Sequence, residues 1–287
     1  MLIEIKHVNT YRYTQAVEFT PHWLMLRPAE SHGLQIQSER IIISPAHDLR
    51  WKHDVFFNSV GLVHFSAKAD TLVINSEYVV KQHTLNPFDF ILEIYTNELP
   101  FDYRGDEAED LKPYLVVQYP QDTASIRNWL SPYLNAKGGG PTLQVLLSIN
   151  EAIATKYHYA RRDEPGIQTP AQTIELGTGT CRDFALLMME IARHLGLAAR
   201  YVSGYLCGHG DETLEIASDA THAWCEIYLP GAGWKGFDPT NGTLAASYHV
   251  RVAATRNPAQ ATPIRGNYIG DASLFKGLEV GVSTKIL

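Results

Sequence analysis

The chain reads as an α+β protein: an antiparallel β-sandwich comes first, and a helical half packed on a second antiparallel sheet follows. Three observations predict this. Thr71–Val80 alternates, with Leu72, Ile74, Tyr78 and Val80 on one face and Thr71, Asn75 and Glu77 on the other. That period of two marks a half-buried strand. Cys181–Leu195 is helical and so apolar (Phe184, Ala185, Leu186, Leu187, Met188, Met189, Ile191, Ala192 and Leu195) that it belongs at the centre of a core. Thr221–Leu229 alternates again and runs into the turn Pro230-Gly231-Ala232-Gly233.

The remaining elements follow in order. Ile41–Ser44, Asp54–Phe57, Leu62–Ala67 and Phe90–Tyr95 are further strand candidates, with Asn58-Ser59-Val60-Gly61 as a short hairpin connection. Several short strands between turn residues predict an antiparallel sandwich over residues 1–100, a packing or presentation domain. Asn97–Pro113 carries Asp102, Arg104, Asp106, Glu107, Glu109 and Asp110 and is broken by prolines. It reads as a solvated boundary before a second domain at 114–287. Asp122 caps a helix running to Leu134, and Pro141 opens another, with Leu143, Leu146, Leu147, Asn150 and Ile153 on one face. Arg161–Thr173 reads as an exposed loop, and Gly196 ends the Cys181 helix. Strands return at Tyr201–Leu206, His222–Leu229 and Trp234–Phe237, then near His249–Ala253 and Leu278–Val282.

Composition narrows the function. At about 150 residues per domain, 287 residues make roughly two. With 45% hydrophobic and 19% charged residues the chain buries a core, which excludes disorder. The 24 basic residues against 31 acidic ones give a net charge of −7, without the electrostatic footprint of a nucleic-acid binder. Three cysteines, an odd and sparse set, exclude a disulfide-stapled module. Met1–Val8 has no basic head, apolar run or cleavage site, and no stretch approaches about 18 apolar residues. The expectation is a cytoplasmic protein with reduced thiols and no membrane or nucleic-acid partner.

The chemistry concentrates in two segments. Gly177-Thr178-Gly179-Thr180-Cys181-Arg182-Asp183 enters the apolar helix, with Thr180 as N-cap and Cys181 first in the helix. The positive end of the helix dipole favours a thiolate there. The glycines expose backbone N–H groups that suit an oxyanion. Asp183 suits the helix start as a stabiliser. The run is no phosphate loop, because it lacks the required spacing and lysine. In the second segment, His222, Trp224, Glu226 and Tyr228 share one strand face, and Ala223, Cys225, Ile227 and Leu229 the other. Tyr228 opposite Trp234 places Trp224 opposite Asp238. Asp238 is then a diagonal neighbour of His222, with Cβ atoms about 7–8 Å apart. The other register, Leu229 opposite Trp234, turns Asp238 away from His222. The even register is predicted.

The runs GTGTCRDFALLMMEIARHLGLAARYVSGYL and THAWCEIYLPGAGWKGFDPTNG resemble the bacterial transglutaminase-like family. Lys156-Tyr157-His158-Tyr159 is similar to that family's aromatic segment before the Cys loop, and the N-terminal strands to its leading β-sandwich. The resemblance implies a papain-like transglutaminase core with Cys181 as nucleophile, His222 as its proton partner and Asp238 orienting the imidazole. The implied chemistry is acyl transfer through a thioester on Cys181, as a cysteine protease or transglutaminase with a protein or peptide substrate. Tyr159 is a candidate second oxyanion donor or a packed aromatic. Trp224 and Trp234 are cleft walls or core residues. Neither cofactor nor metal is expected: Cys207, His209 and Cys225 lack the tight spacing of a zinc site. Two alternatives stand beside this reading, an idle protein-interaction scaffold and an amide hydrolase of glycosylated or cell-wall peptides.

Overall fold

The computed structural model describes residues 1–83, 86–160, 162, 166–208 and 221–287. Six strands open the chain: β1 (Leu2–Phe19), β2 (His22–Leu24), β3 (Leu34–Ser44), β4 (His47–His53), β5 (Ser59–Phe65) and β6 (Ala69–Gln82). They form two antiparallel sheets, β3–β6–β1 and β4–β5–β2. Tyr13, Val17, Phe19, Leu24, Val63, Leu72 and Ile74 fill the space between them, so this region is a β-sandwich. The inward residues of β6 are the ones its alternation selects: Leu72, Ile74, Tyr78 and Val80 are all buried.

The longest strand, β1, escapes a hydrophobicity reading. Its inward positions include the buried His7 and Asn9, which interrupt an otherwise apolar period. Two strand assignments are corrected. Residues 54–58 form a turn, closed by the Asp54 carboxylate, which accepts the Phe56 and Asn58 amides at 2.9 and 2.8 Å. The strand lies before it, as β4. Phe90–Tyr95 is not a strand either. It leads into a single 3-10 turn at Ile94–Thr96.

Residues 97–113 are not a solvated linker. Leu99, Phe101, Tyr103 and Leu111 are buried there, between charged residues that face outward. This segment holds two short helices, α1 (Gly105–Asp110) and α2 (Lys112–Leu115). The Tyr103 hydroxyl donates to the Tyr228 carbonyl at 2.8 Å and accepts the Ala198 amide at 2.9 Å, tying the segment to the second half. Then come α3 (Thr123–Leu130), α4 (Thr142–Lys156), α5 (Pro170–Leu176) and α6 (Cys181–His194). Helix α3 gives way to a 3-10 turn at Ser131–Tyr133, short of the predicted Leu134. The Asp122 carboxylate accepts the Ala171 amide of α5 at 3.0 Å instead of capping its own helix. Helix α5 occupies part of the predicted loop. A reciprocal Thr169–Gln172 cap starts it, and Gly177 at φ +67° ends it.

A third sheet, in the second half, is also antiparallel. It contains β7 (Ala199–Leu206), β8 (Thr221–Leu229), β9 (Gly233–Asp238), β10 (Thr243–Leu244) and β11 (His249–Thr255), in the order β10–β9–β8–β7–β11. Ala223, Cys225, Ile227 and Leu229 of β8 share a core with Phe184, Leu187, Met188 and Ile191 of α6. Ile3, Ile5, Tyr78 and Val80 belong to the same core, which therefore continues into the N-terminal sandwich. The last strands return there as well. β12 (Ile264–Arg265) pairs with β2, while β13 (Tyr268–Ile269) and β14 (Phe275–Ile286) pair with β1. The second region therefore does not run unbroken to residue 287. One edge of β1 has no partner within residues 1–100, and β14 satisfies its backbone groups.

One buried ion pair fixes α6 to its surroundings. Arg193 Nη1 lies 2.7 Å from Glu190 Oε1, and both side chains are fully buried. The Arg193 guanidinium also donates to the carbonyls of Tyr114, Ala199 and Arg256, while Glu190 accepts the amides of Gln118 and Tyr119. Arg193→Met leaves the Glu190 charge buried and unpaired, so a loss of about 3–5 kcal/mol is expected in urea unfolding. An unchanged midpoint and slope would show that the pair contributes nothing.

Candidate active site

Cys181 is the first residue of α6, with a side chain that is almost entirely buried. A short parallel pairing of His158–Tyr159 with Thr178–Gly179 sets the loop ahead of it. A Cβ on Gly179 would meet the Phe184 ring at 2.9 Å and the Asp183 Cβ at 3.1 Å, so only glycine fits this close. Asp183 clamps the loop. Its Oδ2 accepts the Thr180 amide and hydroxyl at 2.8 and 2.9 Å, and its Oδ1 accepts the Gln168 amide and Arg162 Nη2 at 2.7 and 3.0 Å. This is a structural task, as its place in the first turn implies.

The hairpin register is the even one, with Tyr228 opposite Trp234 and Cys225 opposite Phe237. Asp238 and His222 consequently meet, and His222 Nε2 donates to Asp238 Oδ2 at 2.9 Å. The Cys181 side chain faces the same imidazole closely enough to favour its charged form. The structure thus brings together the three residues singled out by spacing and motif. Burial alone pushes the His222 imidazole down. The Asp238 carboxylate, with help from Cys181, outweighs this and carries it up to about 10. Burial would raise the Asp238 carboxyl, yet the charge and hydrogen bond of His222, joined by the hydrogen bond of His249, hold it far below the usual carboxylate range. Asp238 has no exposed surface and accepts four donors: His222, Asn241 Nδ2 at 2.6 Å, His249 Nε2 at 2.9 Å and the Thr240 amide at 3.0 Å.

His249 is the residue that sequence reasoning missed. β11, which begins with it, lies at the opposite edge of the sheet from β9 and β10. The connection from Ala245 to Tyr248 carries the chain between those edges and returns the imidazole to Asp238. Trp224 lies against this connection, with Ala245 packed on it and the His249 ring edge-on at 5.1 Å. Gly204 and Gly236 give the indole its room, since a Cβ at either position would press on Trp224. Nothing in local spacing signals such a crossing.

The other candidates separate. Trp224 stacks near-parallel to His222 with ring centroids 6.1 Å apart, but it is 2% exposed and supports the imidazole from within the core. Trp234 sits beside Tyr228, six residues along β8 from His222 and about 20 Å away at 3.3 Å per residue. There it packs against Tyr114, Tyr228 and Arg200, away from the three. Tyr159 pairs its backbone with Gly179, two residues before Cys181, and the residue is 39% exposed rather than packed in the core. Cys225 faces α6. It pairs with Tyr201, while Cys207 lies six residues further along, about 20 Å away. His209, the third residue of the rejected zinc set, lies outside the described residues. His222, Asp238 and His249 bring ligand-type atoms within 4.8 Å of one another. The two short imidazole–carboxylate hydrogen bonds account for that closeness without an ion. Among the described residues no helix is long and apolar enough to cross a membrane.

Comparisons with known proteins agree with this architecture. Residues 132–239, which contain Cys181, His222 and Asp238, match the transglutaminase-like superfamily core. Residues 3–81 match the bacterial transglutaminase-like N-terminal region. An uncharacterised protein of Mycobacterium tuberculosis is 30% identical over 275 residues, covering 91% of this chain and 86% of the relative. An uncharacterised protein of Mycobacterium leprae is 33% identical over 93 residues, covering 32% of this chain and 33% of its own. Among solved structures, a candidate cysteine protease from Cytophaga hutchinsonii has the same fold, with a TM-score of 0.73 at 19% identity over 100% of this chain and 91% of that one. The chain belongs to the bacterial transglutaminase-like family, its N-terminal region joined to a transglutaminase-like core.

Proposed function

We propose that the protein is a cysteine acyl-enzyme that cleaves or transfers amide bonds of proteins or peptides through a thioester on Cys181. The observation that carries this is His222, held between the Cys181 side chain and the buried Asp238 carboxylate. An imidazole raised to about 10 is protonated at neutral pH and can stabilise a thiolate beside it. In the proposed reaction, Cys181 Sγ attacks the carbonyl carbon and forms the C–S bond. The Cys181 backbone N–H, at the start of α6, faces the oxyanion, with Tyr159 as the candidate second donor. His222 gives its proton to the leaving amine as the C–N bond breaks. Water or a primary amine then attacks the thioester carbonyl carbon, the C–S bond breaks to return the Cys181 thiolate, and His222 takes the proton of the attacking group. Water gives proteolysis or deamidation, and a lysine amine gives an isopeptide link. Three free cysteines, all buried, suit a reducing compartment, and the cytoplasm is proposed as the location.

The test is incubation of the full chain with an electrophilic thiol probe, and separately with candidate amide substrates, followed by mass spectrometry of the Cys181 peptide. Probe adduct and trapped thioester on Cys181 are expected, and the mass of the acyl group names the substrate. A Cys181 that stays unmodified at neutral pH under both conditions would refute the enzyme and leave an idle scaffold.

A further inference from the structure

Among the described residues, two side chains outside the proposed catalytic three touch their innermost member, Asn241 and His249, and only His249 reaches it from the far edge of the sheet. His249 Nε2 lies 2.9 Å from Asp238 Oδ2, and its side chain is 8% exposed. The Ala246 amide donates into Nδ1 of the same ring at 3.3 Å. A ring nitrogen that accepts an N–H carries no proton, so the ring proton sits on Nε2 and points at the carboxylate. His249 is thus a neutral donor aimed at the oxygen that also receives His222 and Asn241.

The backbone carrying His249 is gripped from the N-terminal sandwich. Gln82, the last residue of β6, donates its Nε2 to the carbonyls of Ala246 and His249, both at 3.3 Å. The side chain is buried. Gln82 is itself fixed to β1 through Met1: the Gln82 amide donates to the Met1 carbonyl at 2.8 Å, and the Met1 ammonium donates to the Gln82 carbonyl at 2.9 Å. Continuous hydrogen bonds therefore run from the first sheet to the carboxylate behind His222.

We propose that His249 is a positioning residue for the Asp238–His222 pair, and that Gln82 ties its placement to the N-terminal sheet. The inference rests on the function proposed above. Its physical basis is competition for one buried oxygen. The His249 N–H spreads part of the Asp238 charge away from His222 and stops the carboxylate from turning. With that donor gone, the charge falls more fully on His222, which holds its proton tighter. Beyond His249 a cavity of about 450 Å³ opens between the two halves, and the charged groups facing it there are Glu226, Lys235, Arg251 and Asp89. Glu226 is paired with Arg200 and Arg251, at 2.6 and 3.7 Å. Asp238 is the carboxylate that hydrogen-bonds the ring.

The experiment is an NMR titration of the full chain labelled with ¹⁵N-histidine, compared with His249→Phe, His249→Gln and Gln82→Ala. In the wild type, His249 is expected as the Nε2-protonated tautomer. A ring protonated on Nδ1, or on both nitrogens at neutral pH, overturns the inference without any variant. His249→Phe is expected to raise the His222 midpoint by about half a pH unit or more. His249→Gln, which can still donate an N–H, should restore most of the shift, and Gln82→Ala should move the midpoint the same way by less. Thermal melts establish that each variant is folded. A folded His249→Phe protein with an unmoved His222 refutes the positioning role, and an unmoved His222 in Gln82→Ala refutes the tie to the sheet. These readouts need no turnover. An unreactive Cys181 with shifted His222 midpoints defeats the proposed function alone, while a reactive Cys181 with unmoved midpoints defeats only this inference.

Discussion

Replacing Cys181 with alanine is expected to abolish covalent labelling and to cut turnover by on the order of 10⁶-fold, the scale seen when a nucleophile is removed from a catalytic set. The fold should survive, since the change removes one sulfur atom at a helix start whose clamp is Asp183. The labelling arm is clean because the other thiols are protected. Burial pushes the Cys207 thiol up to about 12, and burial also pushes Cys225 upward, the neighbouring Glu226 and Glu190 carboxylates adding to the rise. Both are neutral thiols at pH 7 and poor nucleophiles. Neither has more than 3% of its surface exposed. Intact-mass spectrometry after brief exposure to an electrophile should therefore give one adduct on the wild type and none on Cys181→Ala. Persistent labelling of the variant would move the reactive group elsewhere and remove the basis of the proposed chemistry.

How far this site was legible follows from where its signals lie. Cys181 and Asp183 were visible because the loop, the cap and the apolar helix occupy one short stretch. His222 and Asp238 were visible because a tight hairpin turns strand parity into a distance: fixing Tyr228 opposite Trp234 fixes the rest. That arithmetic also set Cys225 apart, and the structure places it against α6. The same parity could not rank the tryptophans, since Trp224 and Trp234 share a face yet lie at different ends of the hairpin. His249 was invisible for a different reason. Its contact with Asp238 depends on a connection that crosses the whole sheet, and two glycines on neighbouring strands make space for the indole beneath it. The fold shows the same division. β6 could be read from its alternation, whereas β1 hid its period behind inward polar residues, and the pairing of β14 with β1 joins residues more than 260 positions apart. Local periodicity does not encode such closure.

Asp238→Asn carries the second large effect, because it removes the charge and keeps the shape. A fall in turnover of about 10³–10⁴-fold at pH 7 is expected, by analogy with carboxylate-to-amide changes behind other catalytic histidines. The imidazole explains the size. Asp238 is what outweighs burial at His222. Without the anion, burial drives the ring toward its neutral form, and the ion pair with Cys181 is lost. The stability profile should change too, and its sign is fixed. A histidine raised from 6.5 to about 10 contributes stability that is complete below pH 6.5 and lost as pH rises through 10. Asp238, held below the usual carboxylate range, contributes stability present above that range and lost on acidification. Both contributions vanish in the variant, so its urea-unfolding free energy should vary less between pH 6.5 and 10 than that of the wild type. The variant should also be weaker throughout. His249, Asn241 and the Thr240 amide all point donors at this side chain. An amide offers them one oxygen instead of two, so at least one N–H is left facing an NH₂ group. That mismatch costs about 1–3 kcal/mol in a buried site. A variant whose pH profile runs parallel to the wild type would show that Asp238 and His222 do not share a charge, and the proposed ion pair would fall with it.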